Sequence, residues 1–192
     1  MTDKIKRVCD FYAITHRLKN ELRIGWKMWA VNPDRYESVA EHIYGCQMLA
    51  FAIISEFELE LDAARVAMLL ALHELGECII GDLPATGCPV SVSEKSEMEK
   101  AAVQKILGGL YNSGQLLDLF MEFEEKKTPE ARFAYLIDKM ECDFQCKYHE
   151  EKGFSAFADI WIANHVEKHF KSDKTFTKIA QYIIANKVFG KV

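Results

Sequence analysis

An all-α fold, a bundle of about eight helices, is what this sequence predicts. Three observations carry it. The 192 residues contain only four prolines, at positions 33, 84, 89 and 129. Between them apolar residues recur at intervals of three and four, the period of an amphipathic helix. No run shows the strict alternation of a half-buried strand.

In chain order, the pattern predicts helices over residues 4–19, 38–56, 61–77, 92–111, 113–126, 129–151, 155–169 and 173–187. The first follows a charged start with Asp3, Lys4, Lys6 and Arg7. The second opens at Ser38, an N-cap with Glu41 three residues on, which is a capping box that places His42 in the first turn. The third is nearly all apolar from Val66 to Leu72 and so reads as buried all round. The fourth starts at Ser91-Val-Ser-Glu-Lys95, where Lys95 is either a solvated helix start or a phosphate contact across the preceding loop. The fifth ends in the charged stretch Glu122 to Lys127, a solvated helix end. The sixth carries Ala134-Tyr-Leu-Ile-Asp138-Lys-Met140, and the last two rest on periodicity alone. Two irregular segments interrupt the bundle. They are Asn20 to Glu37, with Arg23, Gly25, Trp26 and Pro33, and Gly81 to Ser91, with Pro84, Gly87 and Pro89. Loops of this length in a compact domain are often functional.

Length and composition fit one domain spanning residues 1–192. Apolar residues make up 49% and charged residues 28%, as in ordinary folded domains. A net charge of −5 argues against a nucleic-acid polymer as partner, which needs a concentrated basic surface, and favours small molecules. No apolar run approaches the ~20 residues of a membrane span, and the start lacks a signal core, so a cytoplasmic protein is expected. The six cysteines, at 9, 46, 78, 88, 142 and 146, form no C-x-x-C pair and read as reduced thiols. Cys142 and Cys146, one helical turn apart, read as packing residues, with a shared metal as the rarer alternative. Exposed apolar helix faces are compatible with a homodimer.

The chemistry concentrates in three places. Val66 to Leu72 runs into His73-Glu74-Leu-Gly-Glu77, so a histidine and two carboxylates close an apolar helix. Carboxylates entering a core need a cation, hydrogen-bond donors or a raised pKa; the alternative is a helix emerging into solvent at residue 73. Asp138 stands in an apolar helix where aspartate is a poor helix former. His42 is the third. Together His42, His73, Glu74 and Asp138 form a mixed nitrogen and oxygen donor set, suited to one divalent ion such as Mn, Co, Fe, Ni or Zn, and less naturally Mg. The remaining coordination positions would take water or a phosphate oxygen.

This order of residues, His, then His with an adjacent carboxylate, then Asp on successive helices, resembles the HD-domain phosphohydrolases. Arg23-Ile-Gly-Trp26, Glu37-Ser-Val-Ala-Glu-His42, His73-Glu-Leu-Gly-Glu77, Gly81-Asp-Leu-Pro84 and Leu136-Ile-Asp138 resemble, in order, the branch with the bacterial 5′-deoxynucleotidases and their eukaryotic HD-domain relatives. The match covers roughly residues 20–150, with the C-terminal helices packing on that core. One departure stands out: the family's aspartate is Glu74 here, one methylene longer. His73-Glu74 is also not a zinc protease motif, because H-E-x-x-H needs a histidine where Glu77 stands.

The resemblance implies a metal-dependent phosphohydrolase removing phosphate from (deoxy)nucleoside 5′-monophosphates. The rivals are an HD enzyme for another phosphate ester and a degenerate metal- or nucleotide-binding module. Glu77, one turn beyond His73, is placed to orient or deprotonate the water. The resemblance implies that Asp82 reaches the sugar hydroxyl or assists proton transfer to the leaving oxygen. Arg23 is the candidate for gripping phosphate through its bidentate fork. Trp26 is either the wall of a base or sugar pocket or a loop tryptophan sealing the core. His16, His149, His165 and His169 are expected at the surface or at helix ends.

Overall fold

The computed structural model describes residues 1–84 and 90–190. Gly87, Cys88 and Pro89 of the second irregular segment lie outside the described residues. The elements, in chain order, are α1 (Thr2–Thr15), α2 (Gly25–Met28), α3 (Val39–Glu56), α4 (Ala63–Leu72), α5 (Glu77–Ile80), α6 (Val92–Leu107), α7 (Ser113–Glu125), α8 (Pro129–Glu151), α9 (Ala158–His165) and α10 (Lys174–Ala185). A 3₁₀ turn, His16–Lys19, continues α1, and a π-helical turn, Val166–Phe170, continues α9. Among the described residues there is no strand, only one isolated bridge between Leu22 and Ser38, and no helix long and apolar enough to cross a membrane.

The helix starts follow their capping chemistry. Ser38 accepts from the Glu41 backbone N–H while the Glu41 side chain accepts from Ser38, so the predicted capping box opens α3. Ser91 and Glu94 repeat it on α6. Asp62, Thr128 and Asp173 cap α4, α8 and α10, and Pro129 takes the first position of α8, where its missing N–H costs nothing.

One predicted element divides. The helix expected over 61–77 stops at Leu72, passes through a turn at His73 to Gly76, and resumes as the short α5. Gly76 shows why: a Cβ there would stand 3.1 Å from the Glu99 Cα, so α6 packs directly on the turn's backbone. The turn redirects Glu77 away from the axis of α4.

The 23-residue α8 is the central strut. Its apolar face, with Ala131, Ala134, Ile137 and Met140, packs with Cys46, Ala50 and Ile53 of α3, Leu69 and Leu70 of α4, Ile162 of α9 and Ile183 of α10. A second core joins Leu18, Val39, Leu75 and Cys78 to Val103, Ile106 and Leu107 of α6 and Phe120 of α7. Where α3, α4 and α8 meet, the sequence inserts polar residues into an otherwise apolar junction, and these define the site.

Candidate active site

His42, at the end of the first turn of α3, is fully buried. Its Nδ1 lies 2.5 Å from Glu141 Oε2 and its Nε2 lies 3.2 Å from Asp138 Oδ1. His73, at the end of α4, repeats the arrangement with a different acceptor. Its Nδ1–H donates to the Leu70 carbonyl at 2.7 Å, and its buried Nε2 has no hydrogen-bond partner. That nitrogen lies 4.0 Å from Asp138 Oδ1 and 3.6 Å from Glu74 Oε1. Two imidazoles thus have Nδ1 occupied and Nε2 turned toward one carboxylate, the arrangement a metal-binding histidine requires. Donors bonded to one ion at about 2.0–2.2 Å must lie within roughly 4.4 Å of each other; the two distances to Asp138 meet that limit, and the His42, His73 and Asp138 donor atoms all lie within 4.8 Å of one another. An unpaired buried Nε2 beside carboxylates is a site that a divalent cation fits.

Helix packing fixes this geometry. Gly45 faces α8, and a Cβ there would stand 2.7 Å from Glu141 Oε1, so glycine leaves the room Glu141 needs to reach His42. Glu141 follows Asp138 by one turn on the same face of α8.

Glu74 is placed less closely. Its Oε1 reaches His73, but it also accepts from the Arg23 guanidinium at 3.3 Å. Burial alone would raise its carboxyl, yet His73 and Arg23 outweigh that and hold it at about 2. The donor atoms of His42, Cys46, His73 and Asp138 all lie within 4.8 Å of one another, a group that does not include Glu74. Cys46 is a poor ligand here. Its Sγ is 3.6 Å from His42 Nε2 and 3.8 Å from Nδ1, and such near-equal distances set it against the ring's flank, off the in-plane lone pair. Burial also pushes its thiol up to about 12.

Above this junction opens a cleft of ≈ 390 Å³, onto which Arg23, Glu74, Glu77, Asp82, Asp138 and Lys139 all face. All the residues singled out in the sequence for metal, phosphate and water therefore come together. The Arg23 guanidinium touches Glu74 Oε1 and Cys142 Sγ, both at 3.3 Å, with Glu37 Oε1 at 3.9 Å. Glu77 is buried and its Oε2 has no partner. Burial, reinforced by Glu74 and Asp82, pushes its carboxyl up to about 10. Asp82 follows Gly81, whose φ of 76° is the left-handed conformation that favours glycine, and its Oδ2 accepts from the Gly25 N–H at 3.4 Å. The cleft thus draws together the two irregular segments of the sequence.

Several expectations are corrected. Trp26 lines the cleft but is only 5% exposed; its Nε1–H donates to Glu37 and its ring packs on His149 and Trp161. Both readings of Trp26 meet in one residue, with core sealing dominant. His149, expected at the surface or at a helix end, stands in the last turn of α8 and is fully buried. His165 and His169, expected to be bland, line the cleft: His165 Nδ1 lies 2.7 Å from the buried Asp143 Oδ1, and His169 Nδ1 lies 2.8 Å from the Tyr135 hydroxyl. Their α9 tryptophan, Trp161, lines it too. Lys95 is no simple solvated helix start, since its ammonium donates to the Leu83 carbonyl at 2.7 Å and pairs with Glu99. His16 is exposed, as expected.

Glu37, Glu141 and Asp143 went unnoticed in the sequence. For Glu141 a signal existed, its position one turn past Asp138 on a face with few other polar residues. Nothing local marks Asp143, whose partner is 22 residues away.

Comparison with known proteins identifies the family. The HD domain family matches residues 15–180. The chain is 33% identical over 145 residues to the 5′-deoxynucleotidase HDDC2 of Danio rerio, covering 74% of this chain and 69% of that one. It is 30% identical over 149 residues to the 5′-deoxynucleotidase HDDC2 of Homo sapiens, covering 76% and 70%. Its fold matches the crystal structure of a Pyrococcus horikoshii OT3 protein with a TM-score of 0.73 at 22% identity, over 94% of this chain and 98% of that one. The chain belongs to the HD domain family, in the branch that resembles the 5′-deoxynucleotidases.

Proposed function

We propose that this protein is a metal-dependent phosphohydrolase that removes phosphate from (deoxy)nucleoside 5′-monophosphates. The observation that carries the reading is the convergence of the His42 and His73 Nε2 atoms on Asp138 at the floor of a cleft that also holds Arg23, Glu77 and Asp82. The 5′-deoxynucleotidase relatives support the substrate class.

His42, His73 and Asp138 would hold the ion, with Glu74 completing the set by turning from Arg23 toward it. A divalent ion bound there polarises the phosphoryl oxygens and lowers the pKa of a water. Arg23 stays charged and offers its fork to the phosphate, and a phosphate arriving there competes with Glu74 for the same guanidinium. Lys139, 2.7 Å from Asp138 Oδ2, adds positive charge at the same end of the cleft. Glu77, with Oε2 unpartnered, is placed to hold and orient the attacking water. The carboxylate of Asp82, steadied by the Gly25 amide, faces the cleft where a sugar hydroxyl or the leaving oxygen would lie.

One observation favours a second reading, a metal-binding module without turnover: the Glu74 carboxylate stands outside the group of mutually close donors formed by His42, Cys46, His73 and Asp138. Phosphate release from dAMP, dGMP, dCMP and dTMP, measured with wild type and Glu74→Asp after metal replacement, separates the two. Metal-dependent release by wild type supports the enzyme. An inert wild type with turnover gained in Glu74→Asp supports the module, since a displacement of about 1 Å can cost on the order of 10²-fold in rate.

A further inference from the structure

All three tryptophans of the chain, Trp26, Trp29 and Trp161, gather on the cleft. Trp29 and Trp161 meet edge to face with centroids 4.9 Å apart, and Trp161 lies 5.4 Å from Trp26. Only Trp29 and Trp161 are available to a ligand. Trp26 is enclosed behind them, whereas Trp161 is half-buried and Trp29 is 44% exposed. Two large rings at the mouth of a cleft, one presented to solvent, are a surface suited to a planar apolar ligand.

From the proposed phosphate end to these rings, the wall is continuous. Lys139, paired with Asp138, lies 5.4 Å from the Tyr135 ring centroid. The Tyr135 hydroxyl meets His169, whose ring is 5.2 Å from His165, and His165 is 4.9 Å from Trp161. Trp161, His165 and His169 recur every four residues along α9 and its π-helical extension, so they present one face to the cleft. At about 1.5 Å per residue the row runs roughly 12 Å, long enough for a phosphate at one end and a flat ring one sugar away at the other. The row lies against α8, where His165 Nδ1 is 2.7 Å from Oδ1 of the fully buried Asp143.

We propose that Trp29 and Trp161 form a stacking wall that selects phosphate esters whose alcohol carries a planar aromatic base one sugar from the phosphate. A stack on ring faces reads planarity and not the hydrogen-bonding edge, so the wall discriminates nucleotides from sugar phosphates while tolerating different bases. The inference rests on the phosphohydrolase reading for its kinetic test, and a binding measurement frees it from that dependence.

The test compares dAMP and dCMP with 2-deoxyribose 5-phosphate, which lacks the base. Wild type should favour both nucleotides in kcat/KM by on the order of 10- to 100-fold, the size of one base-aromatic stack. Trp29→Ala and Trp161→Ala should collapse that preference, chiefly through KM for the nucleotides, and Trp161→Phe should restore most of it. Equal turnover of the sugar phosphate by wild type, or variants that lower all three esters alike, would overturn the wall. If wild type hydrolyses none of the three, the phosphohydrolase reading fails on its own, and tryptophan fluorescence still decides the wall. Quenching by dAMP but not by 2-deoxyribose 5-phosphate supports it; equal or absent quenching rejects it.

Discussion

Two groups of histidines flank α8, and they use their ring nitrogens differently. On the α3 and α4 side, His42 and His73 each set Nδ1 against a fixed acceptor, Glu141 or the Leu70 carbonyl, and turn Nε2 toward Asp138. On the α9 side, His165 meets Asp143, His169 meets the Tyr135 hydroxyl, and His149 Nε2 lies 3.2 Å from Gln145. The first group shares one carboxylate, whereas the members of the second lie against separate neighbours. Burial and nearby acid are common to both, so neither property separates the groups. Convergence on one carboxylate does.

The sharpest way to break this comparison is to remove one histidine from each group. His73→Ala should lose the ion and, with it, hydrolysis, whereas His165→Ala should retain the ion; metal analysis after dialysis reads both. If His165→Ala released the metal while His73→Ala kept it, the two groups would have to exchange roles.

Glu77→Gln separates ion from water. It keeps the side chain's size but gives up the carboxylate, so turnover should fall by about 10²–10⁴-fold with the metal content unchanged. Loss of metal in proportion to activity would make Glu77 a ligand instead.

A milder effect belongs to Glu141, which touches the ring and not the ion's position. Glu141→Ala should weaken metal affinity by about 10–100-fold, because His42 loses the acceptor that fixes its tautomer. Isothermal titration with Mn or Co would show it, and an unchanged affinity would reduce Glu141 to packing.

The smallest expected effect lies at the base of α3, which carries His42. Ser38→Ala should cost about 1 kcal/mol of stability through loss of the cap, seen in thermal or urea unfolding. Hydrogen bonds from Arg35 and from Ser38 hold the Glu41 carboxyl at about 2, below its usual range. A depressed carboxyl contributes stability that is present above its unfolded pKa of about 4.3. That contribution should fade as pH drops toward 2, and Glu41→Gln should flatten this part of the stability profile.

The half of the cleft proposed to hold the metal was legible in the sequence because its residues are locally expensive. His73, Glu74 and Asp138 interrupt apolar helices, and Ser38 with Glu41 announces the start of the helix that carries His42. The aromatic half was not. His165 and Trp161 look like ordinary members of an amphipathic helix, and only the packing of α9 on α8 turns them toward the cleft and sets Asp143 beneath His165. The division of the 61–77 helix was equally hidden, since apolar periodicity runs through the turn and the cause, α6 seated on Gly76, is 23 residues further along the chain. Glu74 lies between these cases: its chemistry was evident, but its contact with Arg23 required the fold.

The most direct test of the metal-dependent reading is a titration of chelator-stripped protein with Mn or Co, following bound metal and phosphate release from dAMP together. Hydrolysis should be absent from the stripped protein and return in step with the first ion bound per chain. Release that persists without metal, or full occupancy of the His42, His73 and Asp138 site with no phosphate released from any nucleoside 5′-monophosphate, would contradict it.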